Sequence, residues 1–140
     1  MKILGLDIGD VWIGTAISDA LGMFARPYQT TTPKELDDFL CLLFAQEPIS
    51  KVVIGYPKTM RGTISEQTKK VEETKIRLEK IFPQMTFILW DERLSSKRAD
   101  ALKRAKTKEE KIQSHSIAAA FILSSYLEFS RPMQDPFGAE

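Results

Sequence analysis

Between Lys2 and about Thr30 the chain offers three consecutive strand-forming segments and no room for a helix. Lys2 to Asp7 is almost continuously apolar, Gly9 and Asp10 turn it, and Val11 to Asp19 alternates in the manner of a second strand. A third segment runs from Gly22 to about Thr30. Strands joined by such short turns pair antiparallel, so the chain must begin as a meander. The remainder is built differently. Thr32-Pro33-Lys34-Glu35 is a helix start, with Thr32 as cap, Pro33 at the first helical position and Glu35 reaching back. Leu36, Phe39, Leu40, Leu43 and Phe44 then recur at helical spacing until Pro48.

From there strands alternate with helices. Lys51 to Tyr56 is a short apolar run of the kind covered on both faces of a sheet. After a loop over Lys58 to Gly62, Thr63 with Glu66 predicts a capped helix ending before Pro83. Met85 to Trp90 is the next buried strand, ending in Asp91-Glu92. Ser95 can cap a third helix, and Thr107 with Glu110 a last one that reaches about Phe129. The order βββ-α-β-α-β-α-α predicts an α/β domain over residues 1–130, a mixed five-stranded sheet with helices on both faces. It is the element order of the ribonuclease-H-like fold. Residues 131–140, with two prolines and a glycine, read as a loose tail.

Composition narrows the class. At 140 residues, 43% apolar and 28% charged, the chain is long enough for one well-filled core. Its longest apolar run, Ile117 to Leu123, falls far short of the roughly 18 residues that span a bilayer. Asp7 interrupts the N-terminal apolar stretch and no secretory cleavage pattern follows it, while Cys41 stands alone and cannot form an internal disulfide. A cytoplasmic protein with no membrane partner is expected. Charge is unevenly spread: residues 93–111 carry eight basic and three acidic side chains, net +5, beside an acidic first third. Such a segment is either a solvated helix face or a seat for a polyanion.

Three places have the residue types for chemistry. Asp7 ends the first strand beside Gly9, as a turn former or as a metal ligand. Asp91-Glu92-Arg93 ends the fifth, and because neighbouring strand side chains point to opposite faces, at most one of the two carboxylates joins Asp7 unless the strand has already ended. His115, the chain's one histidine, lies on the sheet-facing stripe of the last helix with Ile112, Ala118, Ala119, Ile122 and Tyr126. It is either a half-buried packing residue or a third ligand. A divalent ion needs ligands from several elements, and these three supply them.

The motifs together resemble those of the YqgF/RuvX family of Holliday-junction-resolvase-like proteins and nucleases of pre-16S rRNA 5′ ends. The resemblance runs from Met1 to about Leu127. It rests on Leu6-Asp7-Ile8-Gly9 with Ile13-Gly14, Ser18-Asp19, Val53-Ile54-Gly55-Tyr56-Pro57 and Met60-Arg61-Gly62-Thr63. Asp91-Glu92-Arg93-Leu94-Ser95 is the strongest motif, and Ser116-Ile117-Ala118-Ala119 the last. It implies the ribonuclease-H-like fold and Mg2+- or Mn2+-dependent phosphodiester hydrolysis with Asp7, Asp91, Glu92 and His115 as catalytic residues. Asp7, Glu92 and His115 would be the ligands. His115 stands where the family has aspartate, and an imidazole, carrying no negative charge, suits manganese better than magnesium. Val11-Trp12 replaces a basic pair. Arg93, Lys97, Arg98, Lys103, Arg104, Lys106 and Lys108 would meet the backbone of RNA (pre-rRNA) or of branched DNA, with Arg93 either on a phosphate or paired to a neighbouring carboxylate. The working form is a monomer or a weak homodimer. Two other functions are open to such a chain. One is a nucleic-acid-binding relative with weak or no catalysis. The other is a sugar-kinase-like or actin-like ATPase, since Asp7-Ile8-Gly9 to Gly14 also resembles a phosphate loop; that reading needs a second domain and a second glycine-rich loop.

Overall fold

β1 (Lys2–Ile8) is buried continuously from Ile3 to Ile8, because it runs through the middle of the sheet with both faces covered. In the computed structural model, which describes residues 1–57 and 65–130, β2 (Ile13–Ser18) pairs antiparallel with β1, and β3 (Ala25–Thr31) antiparallel with β2. β4 (Ile49–Tyr56) and β5 (Thr86–Asp91) join on the other side in parallel, giving the order β3-β2-β1-β4-β5. The expected mixed five-stranded sheet is therefore present.

Side-chain alternation sorts the two layers. Leu4, Leu6 and Ile8 of β1, with Val52 and Ile54 of β4, face α1 (Leu36–Gln46) and α2 (Glu66–Ile81) through Leu36, Leu40, Leu43, Val71 and Leu78. Ile3 and Val53, with Ile88 and Trp90 of β5, face α4 (Lys108–Ser130) through Ala119, Ile122, Leu123 and Tyr126. Each fully buried Leu or Ile contributes on the order of 1.5–3 kcal/mol, so both layers are well anchored. α3 (Ser96–Arg104) packs chiefly on α4, and among its described side chains none is buried.

Several boundaries differ from the sequence expectations for local reasons. β2 starts at Ile13, because the amide of Gly9 bonds the Trp12 carbonyl at 3.0 Å and draws Val11-Trp12 into the turn. β3 starts at Ala25: Gly22 sits at φ 68°, and the Asp19 carboxylate accepts from the amides of Met23 and Phe24. Thr32 does accept from the Glu35 amide, at 3.3 Å, but Pro33 to Glu35 form a turn and the α-helix begins only at Leu36. α2 is capped by Ser65, which accepts from the Thr68 amide at 3.1 Å. The expected cap Thr63, the loop over Lys58 to Gly62 and the tail from Arg131 to Glu140 lie outside the described residues. Ser95 precedes α3 without a side-chain capping bond, following a 3-10 turn over Glu92–Leu94. The capping box of α4 forms as expected: Thr107 accepts from the Glu110 amide, and Glu110 from the amides of Lys106 and Thr107.

Two glycines let α4 lie against the sheet. A Cβ on Gly5 would come within 2.9 Å of the Leu123 Cβ, and one on Gly14 would land on the main-chain carbonyl of His115. Because Gly14 is the register partner of Asp7, that close approach brings the first turns of α4 to the end of β1. Gly14→Ala should therefore cost at least about 2 kcal/mol of stability by overpacking backbone against backbone. Urea unfolding of the variant measures the loss; a midpoint equal to that of the parent would contradict the close approach.

Candidate active site

Strand parity decides which carboxylates meet. Asp7 has the parity of Ile3 and Gly5, the α4 side of β1. On β5 that side belongs to Ile88 and Trp90, and Glu92 continues it into the 3-10 turn, whereas Asp91 has the parity of Phe87 and Leu89. Between β1 and β5 runs β4, whose residue on the same side is Gly55, the partner of Trp90. A Cβ there would stand 2.8 Å from Glu92 Oε1 and 3.1 Å from its Cγ. The missing side chain is what lets Glu92 lie over β4 toward Asp7, where Arg98 bridges the two acids.

The two carboxylates are 4% and 11% exposed. Arg98 of α3 lies against both. Its Nε and Nη2 donate to the two Asp7 oxygens at 3.2 and 3.1 Å, and its Nη1 stands 3.4 Å from Glu92 Oε2. One guanidinium does not cancel the charge. Burial and the Asp7 charge push the Glu92 carboxyl up to about 7, even with Arg98 pulling it down. Burial would lower the Arg98 pKa, but Asp7 and Glu92 more than offset it and hold it above the ordinary value. His115 completes the wall of the same cleft, which has a volume of about 340 Å³ and also includes Gly9, Gln67 and Leu102. Burial lowers the His115 pKa, so its imidazole is neutral at pH 7 and keeps a lone pair for bonding.

The expected site residues thus fall into two sets. Asp7, Glu92 and His115 line one cleft, with Asp7 and Glu92 joined through Arg98. Among the described residues no three His, Cys, Asp or Glu side chains gather closely enough to hold an ion as they stand. Asp91 instead grips Arg93: it accepts from the Arg93 amide at 2.9 Å and from its Nη2 at 2.8 Å. Arg98, grouped in the sequence with the basic residues that would meet a nucleic-acid backbone, lies against Asp7 and Glu92. Lys103, Lys106 and Lys108 are exposed, and Lys97 and Arg104 flank a separate groove of about 510 Å³ with Ile117 and Phe121. The sequence reading missed Gly55 as the gap between the acids and Gln67, whose Nε2 bonds the Ile8 carbonyl at 2.6 Å and ties α2 to the end of β1. Only the position of Gly55, two residues before Pro57 at a strand end, hinted at it.

The donor set suits a hard divalent ion. Once both are ionised, two neighbouring carboxylates carry more negative charge than one arginine relieves, and a neutral imidazole is nearby. The raised Glu92 pKa also fixes a pH dependence. A carboxyl that holds its proton more tightly when folded stabilises fully below the ordinary carboxylate range, and that stability is lost as pH rises through about 7. Without metal, thermal stability should fall between pH 5 and 8 by on the order of a few kcal/mol, and Glu92→Gln should flatten this fall. Melting curves across that range check it; an equal slope in the variant would remove Glu92 as the cause.

Comparison with known proteins agrees with the fold and the motifs. The family model described as RuvX, Holliday junction resolvase, matches residues 1–129. A protein of Rubrobacter xylanophilus named "Putative pre-16S rRNA nuclease" is 34% identical over 128 residues, covering 91% of this chain and 92% of its own. One of Shouchella clausii with the same name is 40% identical over 136 residues, covering 91% and 95%. Among solved structures, Thermus thermophilus RuvC in complex with a Holliday junction substrate superposes with a TM-score of 0.55 over 93% of this chain and 96% of its own, at 12% identity. The fold is ribonuclease-H-like, and the chain belongs to the RuvX family.

Proposed function

We propose that this protein is a metal-dependent nuclease that hydrolyses phosphodiester bonds in structured RNA, with the 5′ region of pre-16S rRNA as its substrate. The observation that carries this reading is the pairing of Arg98 with both Asp7 and Glu92, brought together over Gly55 at the C-terminal ends of parallel strands where open sheets place their sites. Asp7 and Glu92 would hold Mg2+ or Mn2+, with His115 as an additional donor suited to Mn2+. When bound, such an ion polarises the scissile phosphate and steadies the leaving oxygen. The chain's own residues do the rest. Asp7 is fixed at the end of the central strand, and Gln67 anchors α2 beside it. Leu102 and Ile8 restrict water on the apolar side of the cleft. Lys97, Lys103, Arg104, Lys106 and Lys108 neutralise backbone phosphates without reading sequence. In this reading the protein works in the cytoplasm on ribosomal RNA, as a monomer or a weak homodimer.

Arg98 favours a second reading, a binding-only relative, because its guanidinium already pairs with both acids. Cleavage of a pre-16S 5′ fragment with Mg2+ and with Mn2+, beside a four-way DNA junction, separates the two. The nuclease reading expects cleavage of the RNA that Asp7→Asn reduces to the level of a no-enzyme control while circular dichroism stays unchanged. RNA binding without cleavage in either metal would leave binding alone, and preferential cutting of the junction would reassign the substrate. Lys103→Ala with Arg104→Ala should weaken RNA binding across unrelated sequences and lower the log–log salt slope by about 0.7–0.9 per lost contact. Filter binding over a salt series measures it; an unchanged slope would show that this face does not touch the backbone.

A further inference from the structure

Arg98 makes an uncommon set of contacts for a residue expected to meet nucleic acid. Three of its nitrogens lie against two carboxylates, at 3.1, 3.2 and 3.4 Å, in a site where the acids are at most 11% exposed and the arginine side chain 24%. A guanidinium forked across two carboxylates sits where a cation shared by them would sit, and both cannot occupy that place. The helix that carries it is lightly held. α3 buries none of its described side chains, packs chiefly on α4, and is joined to it by the non-helical Ala105–Thr107. Such an element can shift at low cost, while Asp7 on the central strand cannot.

We propose that Arg98 is a built-in counter-cation that keeps the place of the divalent ion between Asp7 and Glu92 and leaves it when ion and nucleic acid bind, turning its guanidinium to a substrate phosphate. This rests on the ion-binding reading of the site and adds its regulation. Removing one partner of a buried charge cluster leaves the others uncompensated. Without the arginine the two acids therefore need the ion, and with it the ion must first displace a bidentate pair. The metal-free protein stays folded, and the ion gains full access only when a phosphate is present to receive the arginine. Leu102, which lines the same cleft one turn along α3, moves with it.

The test is Mn2+ affinity, measured without substrate by the paramagnetic resonance of free Mn2+, for the parent, Arg98→Met and Arg98→Met with Asp7→Asn. Methionine keeps the apolar stem and removes the charge. The expected result is binding about tenfold tighter or more in Arg98→Met, and loss of that gain in the double variant. A merely structural role for Arg98 would weaken binding instead. Equal affinity in parent and Arg98→Met overturns the proposal and leaves the ion site standing; absence of Mn2+ binding in both overturns the ion site as well. Should Arg98→Met fail to fold, the parent protein still decides the matter. The Nε proton of Arg98 should be protected from exchange without metal and lose that protection on saturation with Mg2+ and an RNA oligonucleotide together. Protection that persists at saturation would contradict the proposal.

Discussion

The approach of Glu92 toward Asp7, with Arg98 bridging them, organises this protein, and the sheet imposes it. Two acids on strands separated by a third cannot meet unless the strand between them offers no side chain. Gly55 provides that gap, with a notional Cβ only 2.8 Å from Glu92 Oε1. The approach is unfavourable by itself: burial and like charge hold the Glu92 carboxyl at about 7. Structure that serves only stability would not keep two carboxylates so close, since an apolar pair of similar volume would cost nothing comparable. Arg98 offsets part of the charge and leaves the rest, which is the condition in which a further cation is attracted.

Placement of α4 is the second consequence of missing side chains. Gly5 and Gly14 allow its backbone to approach β1 and β2 more closely than a Cβ permits. His115 reaches the cleft for that reason, with Ala118 and Ala119 buried in the following turn. Its environment keeps the imidazole neutral, so the position that carries aspartate in the resembled family retains a donor here without adding charge. A neutral His115 and the cationic Arg98 thus share the cleft with the two carboxylates.

Much of the fold was legible in the sequence, because the apolar pattern of Lys2 to Asp7, the helical spacing from Leu36 to Phe44 and the capping box at Thr107 each depend on neighbours in the chain. Turn details were not, since the Gly9–Trp12 bond and the Asp19 carboxylate override the strand propensity of Val11 and Met23. At the candidate site Asp7, Glu92 and His115 could be named as candidates from spacing and resemblance, yet choosing between Asp91 and Glu92 required knowing that parity continues past the strand end. Arg98 was grouped with its basic neighbours. A helical wheel of α3 places it with Leu102, away from Lys97 and Arg104, but only the sheet beneath says what that side meets.

Diffraction from crystals grown with Mn2+ and a short RNA, recorded near the manganese absorption edge, would locate the ion and the Arg98 side chain together. The account predicts one anomalous peak between the Asp7 and Glu92 carboxylates, with the Arg98 guanidinium turned out of the cleft. A peak located elsewhere, or Arg98 still forked across both acids in a crystal that binds manganese and RNA, would contradict it.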